Sequence, residues 1–177
     1  MVRQLVERIR NKDQKAMAQL YQMYIEELSS VCYRYVPAES DAKDVLQDSF
    51  IKILTSIHDF EFHGEGSLTS WIGRTVANKA FDFVRRSEII SFTSTIPDVP
   101  DEEPELERIP PEVLTRMISQ MPSGYRLALN LSIFEHCSHS EIARRLGITE
   151  KTSASQLSRA KQILIKKMKD YIKRHGI

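Results

Sequence analysis

Apolar positions recur along the chain at spacings of three and four, the pattern of helices that bury one face. Ala16, Leu20, Met23, Tyr24, Leu28 and Val31 predict one long amphipathic helix, with Pro37 and Ser40 marking its end. Val45, Leu46, Phe50, Ile53, Leu54 and Ile57 predict a second helix from about Asp41 to Ile57. The stretch HDFEFHGEG at 58–66 reads as a loop, and Ser67 is placed to cap a third helix reaching about Arg86. Farther along, helices are expected to begin near Glu112, after Pro122, at His139 and at Glu150. Alternating apolar and polar runs are short and overlap stronger helical patterns, so strands are not expected. The expected fold class is all-α.

The stretch SHSEIARRLGITEKTSASQLSRAK, from Ser138 to Lys161, predicts two short helices joined by a tight turn. Ser138 and Glu141 have the spacing of a capping box, in which each side chain satisfies the other's backbone N–H. Ile142, Ala143 and Leu146 form one apolar face, and Gly147 suits the left-handed turn that ends a helix. Thr149 is a second N-cap, after which Leu157, Ala160 and Leu164 continue at helical spacing. The outer face of the second helix is expected to carry Lys151, Thr152, Ser155, Gln156 and Arg159. Small polar and basic side chains in that place suit a recognition helix in a DNA major groove. The plainer alternative is a helical hairpin with a solvated face.

Charge supports the first reading once it is divided along the chain. The net charge over 177 residues is only +1. Residues 1–86 balance, with 12 basic and 12 acidic side chains. Residues 87–110 carry one basic and seven acidic side chains, whereas residues 111–177 carry 12 basic and five acidic ones. The segment with the helix-turn-helix pattern is thus also the basic one. Residues 97–111 hold five of the seven prolines together with six carboxylates, so this stretch should be extended and linker-like. The expected organisation is an N-terminal helical domain over 1–90, an acidic Pro-rich linker over 91–111 and a C-terminal helix-turn-helix domain over 112–177. No apolar run approaches the roughly 20 residues that cross a bilayer. The N-terminus MVRQLVERIRNKD has a helical period without a long apolar core, which excludes a signal peptide; a cytoplasmic protein without direct membrane insertion is expected. Cys32 and Cys137 have no CxxC partner and read as small core residues. His136, Cys137 and His139 cluster but have no evident fourth ligand, so no metal is expected there.

Two further helix faces hold candidate chemistry. Projected at 100° per residue, Leu68, Ile72, Val76, Ala80, Phe83 and Val84 gather on one side of the third helix. Trp71, Arg74, Asn78 and Arg85 fall on the opposite side, with Phe81 at its edge. An aromatic ring, an amide and two cations on one stripe suit single-stranded nucleic acid: bases stack, guanidinium groups meet phosphates, and an amide reads a base edge. The alternative for Trp71 and Phe81 is packing against neighbouring helices. On the second helix, Asp41, Asp44 and Asp48 share a face with Gln47 adjacent. Three readings fit that face: a divalent-ion site of a helical enzyme, a solvated surface, or a protein-docking surface. A domain of this size has little room for the apolar cavity such an enzyme needs. No Gly-rich phosphate loop and no nucleophile–base–acid set is present, so an enzyme is not expected and no cofactor is implied.

DAKDVLQDSFIKIL, SLTSWIGRTVANKAFDFVRR with the loop before it, the acidic linker, and MPSGYRLALNLSIFEHCSHSEIARRLGITEKTSASQLSRAK occur in this order over nearly the whole chain. Together they resemble an extracytoplasmic-function sigma factor, the smallest group of bacterial sigma-70-type transcription initiation factors. The resemblance implies core RNA polymerase (its beta-prime clamp and beta subunit) and promoter DNA as partners. It implies that Asp41, Asp44, Gln47 and Asp48 dock on the clamp coiled coil of the beta-prime subunit. It implies that Trp71, Arg74, Asn78, Lys79, Arg85 and Arg86 open and read the minus-ten element as a single strand, with Asn78 at or beside an extruded base. Lys151, Thr152, Ser155, Gln156 and Arg159 would read the minus-thirty-five element as duplex. The linker would pass through polymerase channels that otherwise hold nucleic acid. Many family members are held inactive by an anti-sigma protein, although nothing in this chain identifies such a partner. The chain departs from the family at Ala154, where a basic residue is frequent, and at Gln156, where Arg is common; fewer cations there weaken phosphate attraction and alter base preference. A stand-alone helix-turn-helix regulator is the main alternative, and would leave the acidic face and the Trp71–Arg85 stripe without a role.

Overall fold

A computed structural model describes residues 2–88, 90 and 109–176. The expected acidic linker lies outside the described residues except for its last three positions. All regular structure among the described residues is helical. The chain divides into two compact units, Met1–Phe83 and Val84–Ile177.

In the first unit α1 spans Val2–Arg10 and buries Leu5, Val6 and Ile9. The chain then turns through Lys12, whose φ of 61° lies in the left-handed region. Asp13 caps α2 (Gln14–Tyr35), its carboxylate accepting from the N–H groups of Lys15 and Ala16 at 2.9 and 3.2 Å. The buried side chains of α2 are Ala16, Leu20, Tyr24, Leu28, Cys32 and Tyr35, a stripe spaced mostly by four. Met23, expected in that stripe, is exposed, because it lies off the line those residues trace. Pro37 follows the C-cap, and α3 (Glu39–Thr55) packs back on α2 through Ala42, Val45, Leu46, Phe50 and Ile53. Ile57 falls outside α3, in a single 3-10 turn (Ile57–Asp59) that rests on α1 and α3.

Helix α4 (Ser67–Ser87) follows the loop. Ser67, expected as its cap, is instead its first residue. The Ser67 hydroxyl donates to the carbonyl of Gly64 at 2.7 Å and accepts from the N–H of His63 at 3.4 Å, so it ties the loop rather than the helix end. Gly64 and Gly66 adopt φ of 110° and 80°, conformations that side chains other than glycine rarely tolerate.

In the second unit α5 (Pro111–Ser119) begins with proline at its first position, where the missing N–H costs nothing. Ile109, assigned above to the linker, packs with Met117 and Met168. Helix α6 (Ser123–Leu129) continues into one π turn (Asn130–Phe134) and is buried along its whole length. Arg126, only 3% exposed, donates from Nη1 to the carbonyls of Ser119 and Met121 and from Nη2 to both oxygens of Glu88, while its buried Nε has no partner. Helices α7 (His139–Leu146) and α8 (Glu150–His175) complete the unit. Its core joins Ile118, Met121, Tyr125 and Leu129 to Leu157 and Ala160 of α8.

Both cysteines are free, but their settings differ. Cys32 is fully buried, and burial pushes its thiol up to about 12, because a thiolate there would lose its hydration. Cys137 is only partly buried, which corrects its reading as a core residue. Since the thiolate is the nucleophile, iodoacetamide at mildly alkaline pH should modify Cys137 in the native protein and leave Cys32 until the chain unfolds. Equal labelling rates for the two, read by peptide mass, would contradict this packing.

Candidate nucleic-acid interface

The rotation of α4 is set by what it buries. Leu68, Ile72, Val76, Ala77, Ala80 and Phe81 are all buried, an arc wider than half the helix. Phe81, placed above at the edge of the polar stripe, is 2% exposed and belongs to the core; Phe83, placed in the core, is half-buried. Opposite this arc, Arg74 and Asn78 are exposed, and Lys79 is half-buried. Trp71 is half-buried, with its ring 5.4 Å from that of Phe60 at 50°. It is therefore a packed residue that stays partly accessible. Arg85 and Arg86 are exposed in the last turn, where cations complement the negative end of the helix dipole.

On α3, Asp44, Gln47 and Asp48 are exposed and Asp41 is half-buried. Among the described residues no three His, Cys, Asp or Glu side chains gather as a metal site. Beside the carboxylates runs a groove of about 530 Å³ between α2 and α3, in which Tyr21, Ile25, Leu46 and Phe50 are joined by the polar Ser29, Tyr33, Lys43 and Gln47. Tyr21 is 48% and Ile51 55% exposed, and Tyr21 leans on Phe50 at 4.7 Å. Apolar side chains left open beside acidic ones suit a protein partner better than a solvated face. Tyr21 and Ile51 were not anticipated. Their exposure could have been read from their positions off the buried stripes of α2 and α3.

In the helix-turn-helix the local chemistry closes as expected. The Ser138 hydroxyl accepts from the Glu141 N–H at 3.3 Å, and the Glu141 carboxylate accepts from the Ser138 N–H at 2.8 Å. The Ser138 N–H and the Ser138 hydroxyl both donate to the Glu141 carboxylate at 2.8 Å, and they hold its carboxyl below the ordinary value. The cap is accordingly at full strength above the ordinary carboxylate range and fades as pH falls through the depressed value. Gly147, at φ 69°, ends α7, and the Ile148 N–H closes the turn on the Ala143 carbonyl at 3.0 Å. Thr149 caps α8 by accepting from the Thr152 N–H at 3.1 Å.

The reading face of α8 needs one correction. Lys151 and Ser155 are exposed, and Thr152 and Arg159 are half-buried. Gln156 is not on the outer face: it is 8% exposed, and its Oε1 has no hydrogen-bond partner. Its place was visible in the spacing, since Ser153, Gln156, Leu157 and Ala160 follow i, i+3, i+4, i+7 and all are buried. Ala154, noted above as a departure from the family, is exposed beside Lys151 and Ser155, and so is Ser158, which was not anticipated.

Residues 20–88 match the family described as Sigma-70 region 2, and residues 112–164 match Sigma-70, region 4. The chain belongs to the extracytoplasmic-function sigma factors of the sigma-70 type. Region 2 thus contains α3, α4 and most of α2, and region 4 contains the helix-turn-helix. The ECF RNA polymerase sigma-E factor of Salmonella typhimurium is 28% identical over 185 residues, covering 96% of this chain and 95% of that protein. The ECF RNA polymerase sigma factor SigE of Mycolicibacterium smegmatis is 28% identical over 175 residues, with 93% of this chain covering 65% of the relative. The solved structure of CnrH in complex with the cytosolic domain of CnrY is 22% identical, with a TM-score of 0.49 and coverage of 92% of this chain and 93% of that one.

The burial of Gln156 has a testable consequence. An unpaired buried carbonyl costs about 1–3 kcal/mol, so Gln156→Met, which keeps the volume, should melt no lower than wild type. A clear fall in Tm would show that the buried carbonyl is bonded after all, and a changed duplex preference in a panel of promoter variants would return Gln156 to the outer face.

Proposed function

We propose that this chain assembles with core RNA polymerase in the cytoplasm and directs promoter-specific initiation, leaving the chemistry of RNA synthesis to the polymerase. The observation that carries this reading is the order of region 2 and region 4 in one chain, each with its own candidate surface. Among the described residues no helix is long and apolar enough to cross a membrane.

The division of labour follows from the surfaces. Asp41, Asp44, Gln47 and Asp48, with the groove beside them, dock the first unit on the beta-prime clamp. Charge complementarity sets approach and register, and the apolar side chains of the groove supply burial. On α4, Arg74, Arg85 and Arg86 hold the backbone of the separated minus-ten strand, with Lys79 adding charge. Asn78 meets an extruded base, because an amide offers both a donor and an acceptor to a base edge that has lost its pairing partner. The accessible part of the Trp71 ring serves stacking. On α8, Lys151, Thr152, Ser155 and Arg159 face the duplex minus-thirty-five element, and the exposed Ala154 and Ser158 leave room for close approach of the groove wall.

Two variants test the assignment. Asp44→Lys with Asp48→Lys should weaken assembly with core polymerase, most strongly at low salt, where charge attraction is least screened. Unchanged core affinity in the folded double variant would remove these residues from the docking surface. Asn78→Ala should assemble normally yet form fewer open complexes on duplex promoter, with a smaller loss on a template already melted at the start site. If it opens every promoter variant as wild type does, Asn78 is not the base reader.

A further inference from the structure

The loop that leads into α4 is held by a residue far away in sequence. Arg10, at the end of α1, donates from Nε to the carbonyl of Ile57 at 3.3 Å and from Nη2 to the carbonyl of Phe60. Its Nη1 binds the Glu7 carboxylate at 2.8 Å, which neutralises the guanidinium and fixes its plane. The Ile57 carbonyl also closes the 3-10 turn Ile57–Asp59 by accepting from the Phe60 N–H at 3.3 Å, and the Phe60 carbonyl, just past that turn, takes its donor from Arg10. The guanidinium fork holds both from two nitrogens in a fixed plane, an arrangement that the single nitrogen of an ammonium group does not reproduce. Two turns earlier on α1, the Arg3 guanidinium lies 4.4 Å from the centre of the Phe62 ring. Two arginines of α1 therefore clasp the same strap, Ile57–Phe62.

The strap matters through Phe60. Its carbonyl is held by Arg10, while its buried ring meets Trp71 at 5.4 Å on the first turn of α4. Trp71 stands one turn before the exposed Arg74. We propose that Arg10 is a positioning residue for the single-strand surface of α4: it fixes Phe60, and Phe60 fixes the ring of Trp71 at the edge of that surface. This inference rests on the assignment of α4 to the minus-ten strand. Without the guanidinium the Phe60 carbonyl must turn to water while the Ile57 carbonyl keeps only the Phe60 N–H, so the strap loosens and Trp71 loses the ring it leans on. A strand that stacks on Trp71 would then have to order the ring as it binds, which lowers affinity without removing any direct contact.

Trp71 is the chain's single tryptophan, so its fluorescence reports this coupling directly. Arg10→Met removes the donors and keeps the apolar stem; Arg10→Lys keeps the charge opposite Glu7 without the fork. Each is examined as the full chain by Trp emission and acrylamide quenching. Each is then examined in holoenzyme, by binding of a labelled non-template strand taken from just upstream of a start site mapped with the wild-type holoenzyme. Arg10→Met should expose Trp71 to quencher and weaken strand binding about tenfold, with Arg10→Lys between it and wild type and core affinity unchanged in both. If Arg10→Met proves unstable, the same ordering is read from Arg10→Lys against wild type. A merely structural role would lower Tm and leave strand affinity per assembled holoenzyme as in wild type, and that result overturns the inference. Asn78→Ala in the same binding assay separates the two failures. If it weakens binding while the Arg10 variants do not, only the positioning role falls; if none of them does, the assignment of α4 falls as well.

Discussion

Burial of one arc of α4 is the constraint on which the candidate functions of the first unit depend. Leu68, Ile72, Val76, Ala77, Ala80 and Phe81 are all removed from water, and each large side chain among them contributes about 1.5–3 kcal/mol. Turning the helix by one residue would trade several of these for exposed positions and would bring Arg74 and Asn78 against the core. An unpaired guanidinium there would cost several kcal/mol more. The outward direction of Arg74 and Asn78 is thus a by-product of hydrophobic packing. Function needs only that the residues opposite the core be a cation and an amide.

The same economy operates in the helix-turn-helix, with caps in place of a broad apolar arc. The two helices are short at their junction, and little packing lies between Gly147 and Thr149 to hold them. Direction is set instead by hydrogen bonds: the reciprocal pair of Ser138 and Glu141, the left-handed Gly147, and Thr149 on the Thr152 N–H. Leu157 and Ala160 then seat α8 on the α6 core, which leaves Lys151, Ala154, Ser155 and Ser158 facing outward. One consequence bears on recognition. The hydroxyls of Thr152 and Ser155 are already engaged, the first with Thr149 at 2.8 Å and the second with the Thr152 carbonyl at 3.0 Å. The freer groups on this face are the Lys151 and Arg159 cations, which favours backbone contact over dense base readout.

Much of the fold was legible in the sequence because it depends on local signals. Helical spacing located the long helices, and the capping box, Gly147 and Thr149 located the helix-turn-helix to the residue. Two of the misplacements share a cause. Met23 and Gln156 were assigned to a face by residue type where their angular position said otherwise, an apolar residue drawn inward and an amide outward. Phe81, by contrast, lies by angle at the border of the polar stripe and is buried because the packed arc of α4 is wider than half the helix. Ser67 was read as a helix cap because its type favours one, yet the two glycines before it bend the chain so that its hydroxyl meets the loop. The clasp of Arg10 on Ile57 and Phe60 has no signature in sequence at all. It joins positions about fifty residues apart through backbone carbonyls, which every residue has.

The central claim is that this chain selects transcription start sites for RNA polymerase. It is tested most directly by sequencing the 5′ ends of transcripts made in vitro on fragmented genomic DNA, by core polymerase with and without the chain. The account predicts discrete start sites that appear only with the chain and share two sequence blocks at a fixed spacing, one for each unit. It is contradicted if the start sites are the same in both reactions while the chain alone binds duplex promoter DNA tightly.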